Sequence, residues 1–367
     1  MKKIFYFILV LLFLQANPCI SYSRELLDVS VKTIPKEKKM GIKSAKEIEK
    51  QIPRVLDPDK EAKLTGIMNK LIPYLKRNLD YEVRIIEMKV PNAFSLPGGI
   101  TYFTTGMLDF LKSEDEFAAI MAHELVHADR AHVLVQMKRD SKLNLITLAG
   151  IIAATQGAGA PALLMSGAFQ TALSNKYSIE LEKEADYLGI DILHRAGYNP
   201  SAMLTMMERF SSERLKKSFV DPGIYQTHPE DNERIEAAVK YMRDNKIVIN
   251  RKDALNKLKV EVKEAPLYVE ISIDKHVLMI INRDAYNKDT IERFVEKLDK
   301  NLELELAPYD IQINTFDGIK RLYLRGEFIL SENELTSGMP TLNEIARRIN
   351  KIINDIRLDS PLTNYYN

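Results

Sequence analysis

Residues 113–127 read Ser113-Glu-Asp-Glu116-Phe-Ala-Ala-Ile-Met-Ala-His123-Glu124-Leu125-Val126-His127, and every other assignment follows from them. Ser113 followed three residues later by Glu116 forms a capping box just before an apolar-periodic run, which predicts a helix from about Glu114 to about Met137. Such a helix sets His123 and His127 one turn apart on one face. Two imidazoles so spaced reach a single ion at about 2.0–2.1 Å. Glu124 adjoins the first of them, where its carboxylate can act as general base on water activated by a metal. Two surface histidines on an amphipathic helix would be the plainer account. The capped helix and the carboxylate beside the first ring favour a metal site.

Upstream, Leu64, Ile67, Met68, Leu71, Ile72 and Leu75 recur at helical spacing and predict a helix over 59–77, kinked at Pro73. Tyr81–Met88 alternates as a strand. The segment Asn92-Ala93-Phe94-Ser95-Leu96-Pro97-Gly98-Gly99 breaks it, and Ile100–Phe103 resumes as a short strand. Residues 24–58 are charged and weakly patterned. Downstream, a helix from about Asn175 to Ala196 is stopped by Gly197 and Pro200. Between the two helices, residues 143–173 are rich in Ala, Gly and Leu but interrupted by Gln156, Gly157 and Pro161, too short on either side to cross a membrane. A helical hairpin packed on the same domain is favoured there over contact with a membrane surface.

After about Asn250 the composition changes. Leu267 to Ile273 and Val277 to Ile281 predict strands, Ile291, Phe294, Val295 and Leu298 a helix, and Ile311–Ile313 and Arg321–Leu330 two further strands. A last helix opens at Thr341 with Glu344 as its capping partner. His276 reads as an ordinary strand residue.

The chain has 367 residues, 46% apolar and 28% charged, with a formal net charge of +1. That is a soluble globular composition long enough for two domains, with no field to attract nucleic acid. Lys2 and Lys3, an apolar run from Ile4 to Leu14 and a following polar stretch predict a signal peptide over 1–23, hence export to the periplasm or beyond. Cys19, the sole cysteine, is disfavoured as a lipid acceptor because Asn17 and Pro18 stand where small residues are expected. The expected organisation is a signal peptide (1–23), a mainly helical zincin-type α+β domain with a small edge sheet (24–250), and a smaller α+β accessory domain (251–367) with an unknown partner.

A third ligand must come from outside the first helix. A third His six residues after His127 is absent, and His132 is expected to face away from the 123/127 edge as a structural residue. The helix at 175–196 offers Glu180, Glu182, Glu184, Asp186 and His194. Glu182 and Asp186 lie one turn apart, so one can bind a metal while the other fixes a ligand imidazole. By spacing alone, Glu182 is only somewhat preferred to Glu184.

Four motifs in order, Asn92-Ala-Phe-Ser-Leu-Pro-Gly-Gly99, His123-Glu-Leu-Val-His127, Glu182-Lys-Glu-Ala-Asp186 and Thr227-His228-Pro229 with Arg234, resemble the gluzincin zinc-peptidase family of the CAAX prenyl endopeptidase, HtpX and the periplasmic β-barrel-assembly-enhancing protease. The resemblance covers roughly residues 45–240. It implies one Zn2+ per chain held by His123, His127 and Glu182, with Asp186 supporting a ligand. It also implies Glu124 as base and His228 and Arg234 near the metal, either stabilising an oxyanion or, for His228, gating the site. The strand and turn containing Asn92, Ala93, Phe94, Gly98 and Gly99 would receive an extended polypeptide substrate as an added strand; a plain tight turn accounts for the glycines equally well. The transmembrane helices of the prenyl protease are not read here, which argues against a prenylated substrate. The expected activity is hydrolysis of unfolded or misassembled envelope proteins. A chaperone or adaptor of such clients is the alternative, which has no use for Glu124.

Overall fold

The helix holding the two histidines emerges in the computed structural model, which describes residues 34–137, 177–216 and 232–359. The expected leader with Cys19, the 143–173 segment and His228 lie outside the described residues. Those described fall into two compact units, one drawn from 34–110, 121–137 and 177–188, the other from 111–120, 189–216 and 232–359. The architecture is α+β, mainly helical with small sheets. Among the described residues no helix is long and apolar enough to cross a membrane.

In the first unit, α1 (Ile34–Gln51) and α2 (Pro58–Leu71) precede β1 (Glu82–Ile86), β2 (Ala93–Ser95) and β3 (Ile100–Thr104), followed by α3 (Thr105–Phe110). The sheet order is β1-β3-β2, with β1 parallel and β2 antiparallel to β3. One expectation, the kink at Pro73, is corrected here, and two segments gain elements that the sequence left unassigned. Residues 34–51 are helical although their periodicity is weak, because the buried stripe is Glu37, Gly41, Ser44, Ala45 and Ile48. Pro73 does not kink a longer helix; without an N–H to donate, it sits in a 3-10 turn at Ile72–Tyr74 that ends α2. The 92–99 segment is not a mere break, since Ala93–Ser95 pairs with Thr101–Phe103. Phe94 stacks on Tyr102 with centroids 5.2 Å apart, within a core that includes Ala45, Ile48, Ile86 and Leu96.

Helix α4 (Glu114–Asp129) begins at the predicted cap, where Glu116 N–H donates to Ser113 Oγ at 3.1 Å. The Glu116 carboxylate accepts from the Lys112 N–H, one residue before the expected box partner. The helix also stops earlier than expected. Ala131 has φ 52°, a left-handed kink that ends α4 before residues 132–137 resume as helix. Helix α5 spans Ile179–Arg195, and Gly197 follows it at φ 79°.

The second unit holds α6 (Ser201–Lys216), α7 (Asn232–Asp244) and α8 (Arg251–Leu255). Two antiparallel meanders follow: β4 (Val260–Glu264), β5 (Tyr268–Ile273) and β6 (His276–Asn282), then, after α9 (Lys288–Asn301), β7 (Ile311–Phe316), β8 (Ile319–Leu324) and β9 (Glu327–Ser331). Helix α10 (Leu342–Asp359) closes the described chain. Helix α9 packs on β4 and β9, and α10 on β6, β7 and β8. A single cluster drawn from Leu255 to Ile356 fills the space between them. The strand expected over 321–330 is in fact two, because Arg325 and Gly326 both adopt positive φ and turn the chain back. Strand β4 carries no alternating apolar face, since Glu261 to Glu264 are all exposed.

Candidate metal centre

From Phe117 to Asp129 every residue of α4 is buried, so the helix lacks a strong polar face and its two histidines are enclosed rather than surface groups. Helix α5 lies beside it, and Glu182 and Asp186, one turn apart, bring both carboxylates to the His123 side. His123, Glu124, His127, Glu182 and Asp186 are all at most 4% exposed.

His123, His127 and Glu182 are the group of metal-ligating side chains found among the described residues, with one donor atom from each within 4.8 Å of the others. His123 Nε2 lies 3.0 Å from His127 Nε2. Glu182 Oε2 is 3.5 Å from the former nitrogen and Oε1 is 3.6 Å from the latter. Ligand atoms placed tetrahedrally about 2.0–2.1 Å from a zinc ion are separated by about 3.3 Å. The three donors therefore fit the face of such a tetrahedron, and two imidazoles with one carboxylate are a zinc-type donor set.

The far side of each ring is also held. His123 Nδ1 is 3.1 Å from Asp186 Oδ1, the contact that fixes a ligand imidazole in one orientation. His127 Nδ1 is 2.9 Å from His132 Nδ1, and Tyr177 stacks on the His127 ring at 4.1 Å. His132 was expected to point away. It does not, because the left-handed turn at Ala131 brings its ring back behind His127. Glu184, on the other side of α5 from Glu182, lies 3.5 Å from both His132 Nε2 and Arg130 Nε.

Electrostatics follow this placement. Burial pulls the His123 imidazole down, but the Asp186 and Glu182 carboxylates outweigh it and push the ring up to about 10. For His132 burial prevails over the pull of Glu184 and holds it below its ordinary value. Burial would raise Glu184, yet His132, Arg130 and Lys76 keep it low. The Tyr177 phenol is driven well above its usual range by burial and by the charges of Glu124 and Glu182.

Of the residues expected to bind substrate, Asn92, Ala93 and Phe94 are buried, the last within the core. Ser95 adds a link the sequence did not suggest: its hydroxyl donates to the Glu124 carbonyl at 2.8 Å, tying β2 to α4 beside the candidate base. Gly98 and Gly99 have φ of 89° and 102° and form the turn between β2 and β3. Arg234 is fully buried in α7, within the second unit. Neither Tyr177 nor Ser95 carries a local signal, since each is defined by a partner distant in sequence. The His132 contact could be foreseen only by knowing where α4 breaks.

The sequence profile of peptidase family M48 matches residues 58–242. The mitochondrial metalloendopeptidase OMA1 of Schizosaccharomyces pombe is 30% identical over 165 residues, 43% of this chain and 45% of that protein. OMA1 of Saccharomyces cerevisiae is 31% identical over 156 residues, 41% of this chain and 44% of that one. The β-barrel assembly-enhancing protease of Escherichia coli K12 is 26% identical over 215 residues, 56% of this chain and 44% of that protein. The chain thus spans less than half the length of these relatives.

Proposed function

Because the chain belongs to peptidase family M48, we propose that it is a zinc-dependent endopeptidase, exported from the cytoplasm, that cuts unfolded or misassembled polypeptides of the cell envelope. The observation that carries this reading is the convergence of His123, His127 and Glu182 donor atoms within 4.8 Å of one another, with Glu124 next to the first. Zinc held by such a set acidifies water and polarises a peptide carbonyl. His123, His127 and Glu182 would hold one ion, with Asp186 orienting His123 through Nδ1.

Glu124 takes a proton from the attacking water and later passes one to the leaving amine. Ser95 donates to its backbone carbonyl, which ties this turn of α4 to β2. Strand β2, at the edge of its sheet, offers a template for an extended substrate, and the buried Phe94 would act by supporting that edge. His228 is assigned either to the oxyanion or to gating the site, as the family resemblance implies. The name of one matching relative, a β-barrel assembly-enhancing protease, supports clients of the kind that form β-barrels, and the basic-then-apolar start supports export. Residues 251–367 are assigned an accessory, partner-binding role.

Incubating the purified zinc-loaded chain with casein and following fragments tests the activity. Trapping clients in cells on Glu124→Gln and identifying them by mass spectrometry tests their class. Intact casein would refute the peptidase reading, and trapped clients confined to the cytoplasm would refute the envelope assignment.

A further inference from the structure

His132 and Glu184 stand outside the ligand set, yet both are tied to it through His127. That ring turns Nε2 toward His123 and Glu182, and its other nitrogen, Nδ1, lies 2.9 Å from His132 Nδ1. Two imidazole nitrogens at this distance share one proton, so one ring donates and the other accepts. When His127 Nε2 keeps its lone pair for a metal, the proton of the neutral ring is on Nδ1, and His132 Nδ1 must accept it. The His132 proton then falls on Nε2, which faces Glu184 Oε2 at 3.5 Å. Arg130 Nε stands 3.5 Å from the other oxygen of that carboxylate. The His127 proton thus points toward His132, whose Nε2 lies within ion-pair reach of the Glu184 carboxylate.

We infer that His132 is a positioning residue, which holds His127 in the tautomer and orientation that present Nε2 to the metal, with Glu184 anchoring His132 from behind. This rests on the reading of His123, His127 and Glu182 as ligands. The two ligand imidazoles are thus held by different means. His123 meets the Asp186 carboxylate directly, whereas His127 reaches a carboxylate through a second imidazole. A space-filling role would be met by any ring of similar size, but positioning needs a nitrogen that accepts.

His132→Phe keeps a ring and removes that acceptor, and Glu184→Gln removes the charge behind it. The test is zinc affinity of the full chain by competition with a chromogenic chelator, together with ¹⁵N spectra of the imidazoles in the zinc-loaded wild type. His132→Phe is expected to weaken zinc binding about 10–100-fold, the usual effect of losing a group that supports a ligand. Glu184→Gln should lose less, and the double variant should be no weaker than His132→Phe, because the two residues act in series. The spectra should place the His127 proton on Nδ1 and the His132 proton on Nε2, a readout that needs no variant. Wild-type affinity in His132→Phe, or a His132 proton on Nδ1, overturns the inference while leaving the ligand set intact. A wild-type chain that takes up no zinc overturns both.

Discussion

Glu182 and Glu184 stand two residues apart on α5 and face opposite ways. The first closes the triangle with His123 and His127, and the second meets His132 and Arg130. At saturating zinc, Glu184→Gln should therefore still hold one ion per chain by metal analysis, whereas Glu182→Gln should hold well under one. Equal occupancy in the two would undo the assignment. The raised His123 proton affinity gives a second expectation. Between two carboxylates the metal-free ring stays protonated up to about pH 10, so zinc must expel that proton, and binding weakens as the pH falls. Calorimetry near neutral pH in buffers of different ionisation enthalpy should show about one proton released per zinc; no release would contradict it. Helical spacing sets His123 beside His127 and Glu182 beside Asp186 on one face each, whereas the preference for Glu182 over Glu184 rested mainly on the family resemblance. The place of His132 was not legible in the sequence, because Ala131 carries none of the Gly or Asn character that usually marks a left-handed residue.

Helix α1 and the β2–β3 turn show how an element can be invisible to hydrophobic periodicity and still be required. A Cβ on Gly41 would lie 1.9 Å from the Pro97 carbonyl oxygen, and one on Gly98 would lie 2.7 Å from the Lys38 Cα. The helix and the turn thus approach backbone to backbone, which small residues permit and an apolar stripe would prevent. Gly98 also has φ of 89°, so Gly98→Ala should cost about 1–2 kcal/mol for the backbone alone, with the Lys38 clash added. An unchanged urea midpoint would show that the turn is not built this way. Strand β5 and helices α9 and α10 were legible because Val269, Ile271 and Ile273 alternate and Ile291, Phe294 and Leu298, like Ile345, Ile349 and Ile356, recur at helical spacing, each set buried. Strand β4 and the turn dividing β8 from β9 were not, the first lacking a buried face and the second lacking a proline or a glycine pair.

At the scale of the whole chain, Arg251 in α8 opens the segment read as accessory, yet within its unit it is bound to an earlier helix. Its guanidinium forms a buried pair with Glu208 of α6 at 2.7 Å, with Arg251 6% and Glu208 0% exposed, and also meets Glu305 at 2.8 Å. Arg251→Met leaves the Glu208 carboxylate buried beside no cation of that pair and should cost about 3–5 kcal/mol. Chemical denaturation measures this, and a loss under about 1 kcal/mol would show that the pair is not what joins α8 to α6. The central claim is that a zinc held by His123, His127 and Glu182 works with Glu124 as base. Zinc content and casein cleavage, measured together on wild type and on Glu124→Gln, test it most directly. One zinc per chain is expected in both, with cleavage at least about 100-fold slower in the variant, whereas a zinc-loaded Glu124→Gln that cuts at the wild-type rate would rule out Glu124 as the base.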